Sequence, residues 1–198
     1  LPLDEPAPVL PVAANSGALG SALNGKYSPP AASAVAGPQG PAFAGFENNN
    51  LASSYPGTGG FISIPALGNL QGNEASFLCW IKRDGEQAAR AGILHSRTGS
   101  GYTTGLGFQD AGNALSYNWN DVQAAYDWKP GFVVPHKEWT FVAVTIAPEY
   151  AVMYMGTSAG LVAATNNITH DAHDFSTTGF EVGWDNLNAS RVFKGQID

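Results

Sequence analysis

The sequence predicts an all-β chain folded as a two-sheet antiparallel β-sandwich, and three observations predict it. Short apolar or alternating runs recur at intervals of about 10 to 15 residues, the spacing of successive strands in sandwiches. Between them, 24 glycines and 13 prolines supply turn chemistry. No long segment holds a helical period. At 198 residues the chain fits one such unit, residues 1–198.

Residues 1–41 are rich in Pro, Ala, Gly and Ser and read on their own as an extended opening arm. From Ala42 the pattern changes to strands separated by turns. FISIP (61–65) is a strand closed by Pro65. ASFLCWIKR (75–83) sets Phe77, Cys79 and Ile81 against Leu78, Trp80 and Lys82. Both of its faces are largely apolar, which predicts a central strand covered on each side. AGILHS (91–96), TTGLGFQ (103–109) and ALSYNW (114–119) follow, with DAGN (110–113) as a hairpin turn between the last two. GEQAARA (85–91) has the composition for one helical turn and no more. EWTFVAVTIA (138–147) is β-branched and aromatic throughout, ends at Pro148, and YAVMYM (150–155) returns after a very tight connection. GLVAAT (160–165), GFEVGW (179–184) and RVFKGQI (191–197) complete the set.

Composition excludes several classes. Only 13% of residues are charged, yet 44% are hydrophobic, with 5 Trp, 7 Tyr and 10 Phe, which is ample for a core and rules against disorder. No stretch approaches the roughly 20 apolar residues of a spanning helix, so no membrane insertion is expected in this chain. A net charge of −7 with 9 scattered Lys and Arg excludes nucleic acid as a partner. Cys79 is the single cysteine; it excludes an internal disulfide and reads as a buried, inert thiol. Leu1 is not an initiator methionine, and RVFKGQID (191–198) stops within an alternating run. The expectation is a processed chain or a fragment that naturally continues past Asp198, its closing strand truncated.

The ordered segments resemble the laminin-G-like (concanavalin A-like lectin/glucanase) jelly roll, in the version common in large secreted bacterial proteins. LDEPAPVLPVAANSGALGSALNGKY is similar to that family's opening, and AFAGFENN to its F-x-G strand before FISIP. ASFLCWIKRDG resembles the sheet-core strand with an inward Trp, and GILHSRTGSGYTTGLGF the next hairpin. The W-x-x-V-A-V-T pattern of EWTFVAVTIAPEYAVMYM and the closing FKGQID are similar to the family's later strands. MYMGTSAG departs from the usual pattern by lacking the Asn before Gly156. The resemblance implies that the opening arm packs on the sandwich. It also implies a structural calcium ion held by Asp198 with a backbone oxygen near Gly45 and the region of Glu5, oxygen donors of the kind calcium takes.

Motifs for catalysis are lacking. Glycoside hydrolysis needs paired carboxylates, and Glu181 is the lone mid-strand acid, so no enzyme activity is expected. HDAHD (170–174) offers ligands for a transition metal only if a loop folds around them. YNWNDVQAAYDW (117–128) interleaves Tyr117, Trp119, Tyr126 and Trp128 with Asn120 and Asp121. Aromatic faces stack on sugars while amides and carboxylates take hydroxyls, so these six are the candidate carbohydrate contacts, with core packing as the alternative use of the rings. NIT (167–169) and NAS (188–190) indicate exposed loops. The expected function is a non-catalytic secreted or cell-surface recognition module, carbohydrate-binding or adhesive, within a larger protein, whose partner is a glycan or surface protein. A structural or assembly subunit that self-associates, and an accessory domain of a polysaccharide-degrading enzyme, are the alternatives.

Overall fold

The computed structural model describes residues 12–98 and 102–198. Its strands in chain order are β1 (Val12–Ala13), β2 (Gly25–Ser28), β3 (Ala32–Ala36), β4 (Leu51–Pro56), β5 (Phe61–Ile64), β6 (Gln71–Gly72), β7 (Ala75–Arg83) and β8 (Gly92–Thr98). Then come β9 (Tyr102–Phe108), β10 (Leu115–Trp119), β11 (Thr140–Ala147), β12 (Tyr150–Thr157), β13 (Gly160–Asn166), β14 (His173–Asp174), β15 (Phe180–Val182) and β16 (Lys194–Ile197). The first sheet runs β1-β2-β5-β15-β8-β9-β10 and the second β13-β12-β11-β7-β16-β4-β3, with β14 and β6 forming a small pair.

Turn chemistry sets the hairpins. β9 and β10 pair from Leu115 opposite Phe108, and Asn113 takes the left-handed conformation (φ 56°) in the turn that joins them. β11 and β12 are separated by Pro148 and Glu149 alone, with Ala147 opposite Tyr150. The proline-rich opening stretch adds strands to both sheets, since β2 pairs with β5 and β3 with β4. The closing residues occupy an interior lane: Gly195 lies opposite both Tyr55 and Arg83, and Asp198 exchanges two backbone hydrogen bonds of 2.9 Å with Trp80.

Residues 85–91 contain no helical turn. Gln87 gives its N–H to the Asn113 side chain at 2.8 Å, and its own amide brackets the Lys194 backbone at 2.8 and 3.0 Å. Groups that a helix would use locally are spent across the fold. The helical turns lie instead at α1 (Gln123–Tyr126) and a 3-10 turn over Gly20–Leu23.

The core lies between the two sheets. Ile62, Ile93, Leu106, Phe108, Leu115, Tyr117, Trp119 and Phe180 meet Phe77, Ile81, Val142, Val144, Ile146 and Met153. Gly183 (φ 89°) passes so close that a Cβ there would fall 2.4 Å from the Tyr55 ring, which explains a glycine at the end of β15. Cys79 is partly buried against the core, and burial, with a further push from Asp198, raises its thiol to about 12, which disfavours the thiolate at neutral pH. The phase of β7 corrects one expectation. Phe77 and Ile81 point inward, whereas Leu78 is 63% exposed, so Trp80, in phase with Leu78, faces out of the sandwich rather than in.

A buried ion cluster ties the last loop to β8. Asp185 accepts from Arg97 at 2.7 and 3.2 Å and from Arg191 at 2.7 Å, while Arg97 also lies 3.5 Å from Asp121. Burial would raise the Asp185 carboxyl, but His95 and the two guanidinium groups outweigh it and bring it down to about 2. A carboxyl lowered in the folded state stabilises above its unfolded value near 3.9 and loses that contribution as pH falls toward 2. Asp185→Asn should therefore cost about 3–5 kcal/mol in urea unfolding at pH 7, since it leaves buried cations uncompensated. The gap to the parent should narrow between pH 4 and 2; a gap constant with pH would contradict the assignment.

Candidate functional site

The aromatic patch expected to contact sugar is taken apart by the fold. Tyr117 and Trp119 are 1% and 0% exposed. They stand on the inner face of β10 opposite Leu106 and Thr104, so neither ring offers a face to a ligand, and both are corrected to core residues. Two-sided coverage of β10 is the reason: Asn118, on the other face, is buried as well. Their polar ends are internal. The Trp119 indole N–H donates to the Asp171 carbonyl at 2.6 Å, and the Tyr117 hydroxyl accepts from Asn166 at 2.9 Å and meets His170 at 3.1 Å. Trp128 packs edge-on against Tyr117, 5.8 Å between ring centres.

Asn120 and Asp121 form a left-handed turn (φ 54° at each) rather than a rim. Asn120 donates to the Asp171 and Ala172 carbonyls, and Asp121 accepts from Asn118 at 2.8 Å. Tyr126 is partly exposed, but the Arg90 guanidinium covers its ring at 4.9 Å and pairs with Asp110 at 2.6 Å. His170 and His173 are buried and lowered by burial; one meets Tyr117 and the other Asn120, so they do not converge on a shared centre.

The residues expected at the ion site are only partly assembled. Glu5 lies outside the described residues. Gly45 is an exposed left-handed residue (φ 92°) in the loop of residues 37–50. Asp198 accepts from the Asn50 amide at 3.0 Å, and the same amide donates to the Pro38 carbonyl at 3.0 Å. Burial raises the Asp198 carboxyl, the Asn50 hydrogen bond opposes that, and the charge of Glu47 raises it further. Neither acid takes part in an ion pair among the described residues. No group of three His, Cys, Asp or Glu is placed for a metal among the described residues.

The outer face of the second sheet carries a more open feature. Trp80 is flanked by Phe43, Phe46 and Phe141 at 5.4, 5.6 and 5.8 Å between ring centres. Beside it opens a cleft of about 440 Å³, lined by Phe43, Trp80, Trp139, Glu138, Thr157 and Ser158. Glu138 accepts from the Ser158 hydroxyl and backbone N–H at 2.8 and 3.2 Å, which gives the cleft a fixed polar edge. The Lys82 ammonium sits 5.8 Å above the Trp139 ring and continues the face into a second cavity. These residues were missed because β7 is apolar on both sides. The available signal was Lys82: in phase with Leu78 and Trp80, a lysine marks the row that meets solvent.

Two antiparallel sheets packed around one core, with an aromatic cleft on an outer face, define a jelly-roll sandwich of the lectin and glucanase type. The chain belongs to the concanavalin A-like lectin/glucanases superfamily, whose Laminin_G_3 family model matches residues 56–198. No curated protein matches the sequence. Among solved structures, domain 4 of AbnA, a GH43 extracellular arabinanase from Geobacillus stearothermophilus in complex with arabinotriose, is similar at 20% identity and a TM-score of 0.49. The alignment covers 75% of this chain and 68% of that one.

Burial of Trp119 makes its replacement a stability change. Trp119→Ala should cost about 3–5 kcal/mol by cavity formation and loss of the indole hydrogen bond to the Asp171 carbonyl. A melt within a degree or two of the parent would show that the ring is not a core element.

Proposed function

We propose that the chain is a non-catalytic carbohydrate-recognition module whose sugar site is the cleft beside Trp80 and Trp139. The observation that supports it is the lining: Phe43, Trp80 and the largely buried Trp139 together with the hydrogen-bonded Glu138–Ser158 pair, around a volume in the range of small-ligand sites. Membership of a superfamily of lectins and glucanases agrees with such a ligand, though a fold alone does not assign one. A secreted or cell-surface setting, where polymeric glycans are met, follows from this reading.

The non-catalytic assignment rests on the acids. Hydrolysis of a glycosidic bond uses one carboxyl held neutral and a second held ionised and free to act. Burial raises Glu181, with a further push from Asp185, but Asp185 itself is buried and saturated by Arg97 and Arg191. The second carboxylate is therefore engaged in structure.

A calcium ion at Asp198 is part of the same proposal, with Glu47 as the second acid and carbonyls of the 37–50 loop completing the set. Bound there, it would neutralise the two carboxylates and fasten that loop to β16. One observation favours the assembly alternative: among the described residues β13 is an edge strand that pairs with β12 alone, and it exposes Leu161 and Val162. That reading requires concentration-dependent association in solution.

Two measurements test the proposal. On a glycan array followed by calorimetry, Trp80→Ala and Trp139→Ala should raise Kd at least about tenfold, as for buried aromatic anchors, while Tyr126→Ala should leave it unchanged. Binding indifferent to both tryptophans in variants that still fold would contradict the site. Calcium at 100 times its Kd should stabilise the parent by about 2.7 kcal/mol, and Asp198→Asn should abolish that shift. An unmoved melting temperature in millimolar calcium would remove the ion.

A further inference from the structure

We infer that the cavity adjoining the aromatic cleft is an anion subsite, and that the ligand is an acidic sugar bearing a carboxylate or a sulfate ester. The inference rests on the carbohydrate reading and names the substrate class of that face. The cavity, about 310 Å³, is lined by Lys82, Arg83, Asp84, Lys137, Lys194 and Gln196 among others. Four of the chain's 9 Lys and Arg therefore surround it against one carboxylate, a local charge of +3 on a protein of net charge −7. An acidic protein that gathers nearly half its cations around one hollow creates a focused positive potential there.

These cations are under-compensated. Arg83 is 8% exposed and in phase with the inward Ile81, and among the described residues its guanidinium donates to the carbonyls of Val134 and Gly85. Among the described residues no ion pair includes Lys82, Arg83 or Lys194. Asp84, the single acid, is shared between His136 at 3.3 Å and Lys137 at 3.8 Å. The His136 hydrogen bond, then Lys137 and Lys194, hold its carboxyl below the ordinary value against a smaller opposing effect of burial, so the fields of these cations meet at this cavity. Lys82 and Lys194, on the outer row, have no carboxylate partner among the described residues, and an incoming anion supplies the missing countercharge.

A second feature distinguishes a sugar from a bare ion. The Gln196 side-chain oxygen is buried and has no hydrogen-bond partner, an acceptor suited to a hydroxyl. Gln196 lies directly opposite Lys82 in the β16–β7 pairing, and Lys82 covers Trp139. Trp139 is largely buried under that ammonium, so a sugar in the cleft beside Trp80 has its charged substituent toward Lys82 and its neighbouring ammonium groups and a hydroxyl toward Gln196.

The test is calorimetry on the whole chain with four probes: a uronic-acid oligosaccharide, a sulfated oligosaccharide, a neutral oligosaccharide of matched length, and inorganic sulfate. At least one acidic sugar should bind tenfold or more tighter than the neutral one, with affinity falling as salt rises from 0.05 to 0.5 M. Which acidic arm binds tells carboxylate from sulfate ester. Lys194→Gln, at an exposed position, should cost the acidic sugar about tenfold and leave the neutral one unchanged. Equal binding of acidic and neutral sugars, or indifference to Lys194→Gln, overturns the subsite and leaves the carbohydrate reading intact. Inorganic sulfate competing as well as the sugar would mean an adventitious ion only, and also overturns it. No binding in any sugar arm removes the carbohydrate reading as well.

Discussion

Everything in this fold turns on β7, a central strand that is apolar on both faces. Its inward residues Phe77 and Ile81 join the core against the first sheet. Burial of side chains of this size stabilises by about 1.5–3 kcal/mol each, so this row alone commits the strand to the middle of the second sheet. The outward row cannot be solvated cheaply either. Leu78 remains exposed, but Trp80 draws Phe43, Phe46 and Phe141 around it, and the 37–50 loop is folded over the sheet as a result. One strand thus dictates both the closure of the sandwich and the covering of its back.

The proposed function rests on that second covering being incomplete. A cleft lined by Phe43, Glu138 and Ser158 stays open beside Trp80, with the largely buried Trp139 in its wall. At the same end of β7, pairing with β16 brings Lys194 to Arg83 and Lys82, and the residues before β11 add Lys137. Aromatic surface and positive charge end up side by side on a chain otherwise acidic and sparsely charged. The first sheet is different: its outer polar residues are drawn into the Arg97–Asp185–Arg191 cluster and the Asn118–Asp121 turn, which serve the fold.

Strand positions were legible because they depend on local alternation and turn residues. The hairpin at residues 110–113 and the tight return after Pro148 stand where the sequence put them. Phase was not legible wherever both faces are covered. In β10 and β7 alternation shows which residues share a face but not which face is inside, so for Tyr117 and Trp119 the sequence leaves sugar contact and core packing both open, and for Trp80 the resemblance implies the inward face where the structure has the outer one. The segment 85–91 was misread because its fate depends on Asn113 and Lys194, far away in the chain. The cation cavity was invisible for the same reason: Lys82, Lys137 and Lys194 look scattered until β16 pairs with β7.

The central claim is that the outer face of the second sheet, at Trp80 and Trp139, receives a sugar. Five indole N–H signals, one per tryptophan, resolve it directly in a two-dimensional nitrogen–proton spectrum titrated with the tightest-binding oligosaccharide from the calorimetry. The account predicts that the Trp80 and Trp139 signals move while that of Trp119, donated to the Asp171 carbonyl inside the core, stays fixed. Shifts confined to Trp128 and Trp184, with Trp80 and Trp139 unmoved, would contradict it.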